Sequence, residues 1–327
     1  MSKLVNAKKI KNFPWQECPK DFEGPIWRYT NNPVIARHPN KVASRVFNSA
    51  LVPFKDEFIG VFRGDGLDDI PHLYVGRSKD GINFEIDNER IRFLDENGNE
   101  FPETGYQYDP RVIPLEDKYY IVWCDDYWGP TISLAVTEDF KTFTKFNYPF
   151  LPCNRNGVLF PRKINDKYYM LSRPSDIGHT PFGDIFVSES SDLKYWGNHK
   201  LVAKSGWEWW CALKIGPGPV PIELDDGWLL FTHGVNRTCN GYVYNIGVML
   251  LDKNDPSKVL MRAKDYILSP EMDYETTGFV PNVLFPTCVL AYEDGRLALY
   301  YGAADSTTCL AFTTVDKVME FLKEHKR

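Results

Sequence analysis

EDKYYIVWCDD, residues 116–126, and ISLAVTEDFKTF, residues 132–143, together decide the fold. An acidic turn opens into an aromatic and β-branched run, and a polar turn follows. Ile132-Ser133-Leu134-Ala135-Val136-Thr137 then alternates with period two, the mark of a half-buried strand. Four further stretches repeat the layout. They are KDEFIGVFRGD (55–65) with HLYVGRSKDGINF (72–84), and NDKYYMLSRPSD (165–176) with DIFVSESSDLKYW (184–196). The last two are DDGWLLFTHGV (225–235) with NIGVMLLDKNDPSKV (245–259), and EDGRLALYYGAAD (293–305) with CLAFTTVDKV (309–318). The units recur at roughly 50 to 70 residues, the spacing of β-propeller blades with loops of variable length. Five of them predict an all-β, five-bladed β-propeller filling residues 1–327 as one domain. An N-terminal arm over 1–30 precedes it. A short C-terminal helix over 315–327 closes it, with Val315, Val318, Met319 and Leu322 on one face. A β-sandwich is the competing arrangement.

The totals fit a globular chain. Its 327 residues are 43% hydrophobic and 25% charged, with a net charge of −6, which disfavours nucleic acid as the main partner. The seven cysteines never fall in CxxC spacing, so neither a disulfide framework nor a zinc site is expected, and a reducing compartment fits. The first twenty residues lack a signal-peptide core, and no apolar run approaches a membrane span. A cytoplasmic location with no membrane partner is the expectation. Aromatic residues reach 15%, which suits strands and also platforms for sugar rings.

If the opening strand of each unit is the innermost, its end lines one mouth of the central channel. Those ends carry Arg63-Gly-Asp65, Asp125-Asp126, Arg173-Pro-Ser-Asp176, His233-Gly and Asp305. With Asp109, Arg111, Arg155, Arg162, His179 and Lys214 they form a cluster richer in cations than a neutral sugar requires. Arginine forks match an oxyanion such as phosphate. The P-loop, GxGxxG, HExxH and GxSxG motifs are all missing from the sequence. Glycosidic cleavage normally needs two carboxylates. If phosphate is the attacking group, one acid and a basic pocket suffice. GYQYDPR (105–111) offers that acid in Asp109, although an aspartate before Pro110 is also a turn former. Arg155 and Arg162 are equally surface ion-pair formers, and His233 a core histidine. The Trp207-Glu208-Trp209-Trp210 cluster reads as packing before it reads as a sugar platform.

Several segments carry a specific resemblance. VFNSALVPF, GVFRGD, YQYDPRV, NRNGVLFPRKI, MLSRPSD, GHTPFGDIF, LKIGPGP, HGV, CNGYVY, PNVLFP and YYGAAD, spread from Trp27 to Asp305, resemble glycoside hydrolase family 130, the β-mannoside phosphorylases. The likeness is to the shorter-chain branch acting on β-1,4-mannooligosaccharides or β-1,4-mannosyl-N-acetylglucosamine. It implies a five-bladed propeller and inverting phosphorolysis that releases α-mannose 1-phosphate. Asp109 is then the sole general acid, protonating the 3-hydroxyl of the terminal mannose, which relays a proton to the glycosidic oxygen. Arg155, Lys214 and His233, with Arg63 nearby, are implied to hold phosphate. Asn48, Ser49, Arg63, Asp65 and Asp109 would meet the terminal mannose, and Tyr108, His179, Tyr242, Tyr244 and Asp305 the leaving sugar. Arg173 joins the substrate-binding set. No metal or organic cofactor is implied, inorganic phosphate is a co-substrate, and a homo-oligomer is expected. Trp15, Trp27 and Tyr29 of the arm are candidates for its interface. Three other readings stand beside this one: a β-mannoside hydrolase of the same fold, a 4-O-β-mannosyl-glucose phosphorylase, and a non-catalytic sugar-binding propeller.

Overall fold

The computed structural model of the chain describes every residue except 1, 6, 8, 12, 176–182 and 240. Five sheets follow one another along the chain, antiparallel throughout except for one parallel edge pairing in the second. Blade 1 is built from Arg45–Phe54, Glu57–Asp65, Pro71–Ser78 and Glu85–Arg90. Blade 2 comprises Gln107–Leu115, Lys118–Asp126, Pro130–Thr137 and Phe143–Lys145, with Phe93–Leu94 at its outer edge. Blade 3 comprises Asn154–Leu159, Tyr168–Pro174, Ile185–Ser190 and Gly197–Ala203. Blade 4 has an inner edge in two pieces, Lys214–Pro217 and Ile222–Leu224, followed by Gly227–Thr238, Gly241–Leu251 and Val259–Arg262. Blade 5 comprises Leu284–Ala291, Arg296–Ala303 and Thr307–Thr314, and its outer strand is Trp27–Arg28, paired to Phe312 and Ala311. The ring is thus closed by chain from both ends, and the fold is the expected five-bladed propeller.

The strand order corrects one expectation. The aromatic runs taken as innermost are the second strands of their sheets. The innermost strand of each blade precedes them, and these five first strands surround the axis. Second strands are buried on both faces because a neighbouring blade packs on each. That is why Tyr120 to Cys124 read as a continuous apolar run rather than an alternating one. The contacts between blades form the core: one apolar layer joins blades 5, 1 and 2, a second joins 2 and 3, a third 3 and 4, and a fourth 4 and 5.

A shared turn pins the first three blades. Ser78, Thr137 and Ser190 accept from the backbone N–H of Gly81, Phe140 and Leu193, and Asp80, Asp139 and Asp192 each accept from two N–H groups just beyond. The C-terminal helix, Val315–Glu324, is capped by Thr314, whose side chain accepts from Lys317 N. Its predicted face, Val315, Val318, Met319 and Leu322, is buried against the layer between blades 4 and 5. No helix among the described residues is long and apolar enough to cross a membrane. The arm's rings are engaged within the chain: Trp15 packs edge-on against Trp27 and Phe312, and Tyr29 against Phe312. Trp27 is buried there, while Trp15 and Tyr29 stay half-buried.

Candidate active site

The first strands bend where the channel opens. In blade 1 the pairing skips from Phe47↔Arg63 to Ala50↔Val61, in blade 2 from Tyr108↔Cys124 to Arg111↔Val122, and in blade 3 from Arg155↔Arg173 to Val158↔Leu171. Each skip is a β-bulge of one extra residue, which turns the local side chain out of the pleat. The bulges hold Asn48, Asp109 and Asn156 at φ of 49°, 53° and 56°. Asn and Asp tolerate this left-handed conformation better than other L residues. Blade 5 has a related skip between Pro286 and Cys288. Equivalent strain in neighbouring blades therefore aims three amide or carboxyl side chains towards one mouth.

Asp109 is held on two sides. Its Oδ1 accepts from Asn48 Nδ2 at 2.8 Å and from Arg63 Nη1 at 2.9 Å. No described group bonds its Oδ2. Arg63 is oriented by buried Asp65, through Nε to Oδ1 at 2.9 Å, and lies over the rings of Phe47 and Tyr108. Burial opposes the Arg63 charge, but Asp109 and Asp65 outweigh it and its pKa is raised. Arg111 clamps the Asp109 backbone, donating Nη1 to Asp109 O at 2.8 Å and Nε to Gly218 O at 3.0 Å. Burial brings Arg111 down to about 10. The acid thus sits in a fixed frame with one oxygen free.

Across a cavity of about 400 Å³ lie three cations of another kind. Arg155 and Arg173 line it, and Lys214 stands close enough that both lower its pKa, after burial itself. Every described carboxylate is beyond salt-bridge distance of all three, whereas Arg63, Arg45, Arg162 and Arg262 each have one. Burial and then neighbouring Arg155 also lower Arg173. His233 is fully buried, its ring tilted against Phe285 at 4.3 Å, with Nε2 2.7 Å from Arg173 Nη1. Burial, with Arg173, Arg111 and Lys214 around it, depresses its pKa well below the usual range, so the ring is neutral. Arg173 can only donate, which assigns Nε2 as acceptor. On the opposite wall, burial raises Asp305 to about 6, with Arg63 pulling the other way.

The family model described as β-1,4-mannooligosaccharide phosphorylase matches residues 6–324. The chain belongs to glycoside hydrolase family 130. A β-1,4-mannooligosaccharide phosphorylase from Ruminococcus albus is 49% identical over 99% of this chain and 98% of its own length. A 1,2-β-oligomannan phosphorylase from a Thermoanaerobacter species is 32% identical over 87% of this chain and 95% of its own. Among solved structures, a β-1,2-mannobiose phosphorylase from Listeria innocua in complex with β-1,2-mannobiose superposes with a TM-score of 0.81 and 27% identity. That alignment covers 91% of this chain and 99% of the other.

In this family 130 propeller most of the candidate residues converge. Asn48, Arg63, Tyr108, Asp109, Arg155, Arg173, Tyr244 and Asp305 all line the cavity. Ser49 and Asp65 are buried behind that wall, and Tyr242 is half exposed at the rim. His179 and Asp176 lie outside the described residues. Arg162 is elsewhere, paired with Glu223 at 2.7 Å near the opposite end of the channel. Asp125 is fully buried, bonded to Lys145 at 2.6 Å and to Ser133, so it is structural. Six lining residues went unsuspected: Pro71, Tyr106, Asn156, Val280, Val283 and Phe285. Asn156 had a readable signal, since Phe-Asn-Ser, Tyr-Asp-Pro and Arg-Asn-Gly repeat one bulge in successive blades. Tyr106 and Phe285 had none beyond aromatic character.

Proposed function

We propose that this chain is an inverting phosphorylase that removes terminal β-1,4-linked mannosyl residues and yields α-mannose 1-phosphate. The observation that carries the reading is the trio Arg155, Arg173 and Lys214, facing Asp109 and beyond salt-bridge distance of every described carboxylate. Three buried or half-buried cations with no described carboxylate in salt-bridge reach are costly unless an anion visits them. Phosphate supplies the missing charge and is also a nucleophile. A phosphate oxygen forms a bond to C1 as the bond from C1 to the glycosidic oxygen breaks. The departing oxygen takes a proton originating on Asp109 Oδ2, directly or through the 3-hydroxyl of the same mannose. Attack from the face opposite the leaving group inverts β to α.

The other groups fall into supporting roles. Arg63 and Asn48 fix Asp109 and face the terminal mannose. Neutral His233 orients Arg173 from behind, so its contribution to phosphate binding is indirect. Tyr108, Tyr244 and Asp305 border the leaving sugar. The 49% identical Ruminococcus albus relative supports the β-1,4 linkage. A hydrolase needs a carboxylate where the cation trio stands, which disfavours that rival. The test is release of mannose 1-phosphate from β-1,4-mannobiose with and without inorganic phosphate. Formation only with phosphate is expected. Free mannose released equally in both conditions sinks the reading.

A further inference from the structure

On the phosphorylase reading the two sugars at the scissile bond occupy the cavity of about 400 Å³, and any further sugars of the leaving chain must pass over its rim. Between blades 2 and 3 that rim is the turn Asp126-Tyr127-Trp128-Gly129. Tyr127 N donates to Gly129 O at 3.0 Å, and Gly129 N to Asp126 Oδ1 at 3.4 Å. The turn stands between two segments that enter the cavity. A Cβ on Gly105, next to cavity-lining Tyr106, would strike the Asp126 carboxylate. One on Gly129 would meet Pro152, three residues before cavity-lining Arg155, at 3.7 Å.

Trp128 has two features that the fold itself does not need. Its side chain is 90% exposed, and its φ is 54°. A bulky residue in the left-handed region is strained, and a large ring left in water forgoes burial. No described ring, cation or hydrogen-bond partner engages it. The base beneath it, by contrast, is rigid. Tyr127 stacks on Tyr148 at 4.0 Å and 15°, and Tyr148 Oη accepts from the buried Lys145 ammonium at 3.1 Å. A free indole on a fixed ledge beside a sugar cavity suits the apolar C–H face of a pyranose, whose hydroxyls stay in water.

We propose that Trp128 forms an outlying subsite that stacks a mannosyl residue of the leaving chain beyond the sugar next to the cleaved bond. It thereby favours longer β-1,4-mannooligosaccharides. This rests on the phosphorylase reading above. The test compares kcat/KM for phosphorolysis of β-1,4-mannobiose and β-1,4-mannotetraose by wild type, Trp128→Ala and Trp128→Phe. Trp128→Ala loses about threefold to tenfold on the tetraose, through KM, the range one aromatic stacking contact supplies. It keeps wild-type turnover of mannobiose, which serves as its folding control, and Trp128→Phe recovers most of the loss. An unchanged tetraose value, or an equal fall on both substrates, overturns the proposal. So does a lower mass of Trp128→Ala by light scattering, which would assign the ring to a contact between copies of the chain. Wild-type enzyme inert towards mannobiose and phosphate would instead remove the phosphorylase reading, and the subsite with it.

Discussion

The same five inner strands end in two mouths of opposite character. At one end they present Arg63, Asp109, Arg155, Arg173 and Asp305, with bulges and left-handed residues holding them. At the other, a cavity of about 360 Å³ is walled by Val52, Val112, Val220, Ile222 and Leu290. Leu4, Val5, Ala7 and Ile10 of the arm border that second cavity. The arm is strapped to blade 4 by Val5 N to Glu223 O and Lys3 N to Asp225 Oδ1, both 2.9 Å. One scaffold thus concentrates strain, and cations with no described carboxylate partner, at the mouth proposed to take the substrate. Apolar burial and backbone pairing dominate the other. On the proposed function, chemistry is kept at one end and stability at the other, as expected when functional sites deviate from local rules.

Four substitutions or deletions probe that division, beginning with the largest effect. Asp109→Asn at the charged mouth should lower turnover of mannobiose by about 10³-fold or more, since it removes the only proposed proton donor. Its melting temperature should stay close to wild type, because the amide keeps the shape and an oxygen for Asn48 and Arg63. Near-normal turnover would break the assignment. Lys214→Ala should raise KM for phosphate by about tenfold to a hundredfold, the worth of one charge-assisted hydrogen bond. KM for the mannoside should change far less, and a rise confined to the mannoside would move Lys214 out of the phosphate pocket.

Stability should respond in the opposite sense at the charged end. Asp305 is raised to about 6 in the fold, against an ordinary value near 3.8. The folded chain therefore binds this proton more tightly than the unfolded chain, and the resulting stability is lost as pH rises from about 4 through 6. Asp305→Asn should exceed wild type by about 3 kcal/mol at pH 8 and match it below about pH 4. Urea titrations at both pH values check this, and a gain at pH 4 equal to that at pH 8 would contradict it. At the apolar mouth, deleting residues 2–10 should cost about 1 kcal/mol of stability while kcat per folded molecule stays unchanged. A loss of kcat without loss of stability would couple the two mouths.

The sequence made the propeller readable because its second and third strands obey simple patterns. Burial on both faces makes Tyr120 to Cys124 aromatic and apolar, and the Asp80, Asp139 and Asp192 turns recur in register. The inner strands were harder to find for a physical reason. The bulges at Asn48, Asp109 and Asn156 break the period of two, and prolines at 53, 110, 114, 217 and 286 interrupt the apolar runs. The strands that carry the chemistry are therefore the least strand-like, and the order within each blade was misread by one strand. Asp109, Arg155 and Lys214 were identified from long ordered motifs. The burial of His233 behind Arg173, and the separation of Arg162 from the site, depend on side-chain packing that no local pattern encodes.

The central claim is that phosphate attacks C1 directly, in place of a second carboxylate. The most direct measurement is the anomeric configuration of mannose 1-phosphate in the first turnovers from β-1,4-mannobiose, read by proton and phosphorus NMR. The account predicts the α-phosphate alone. A β-phosphate as first product would require two successive displacements through a covalent intermediate, and would contradict it.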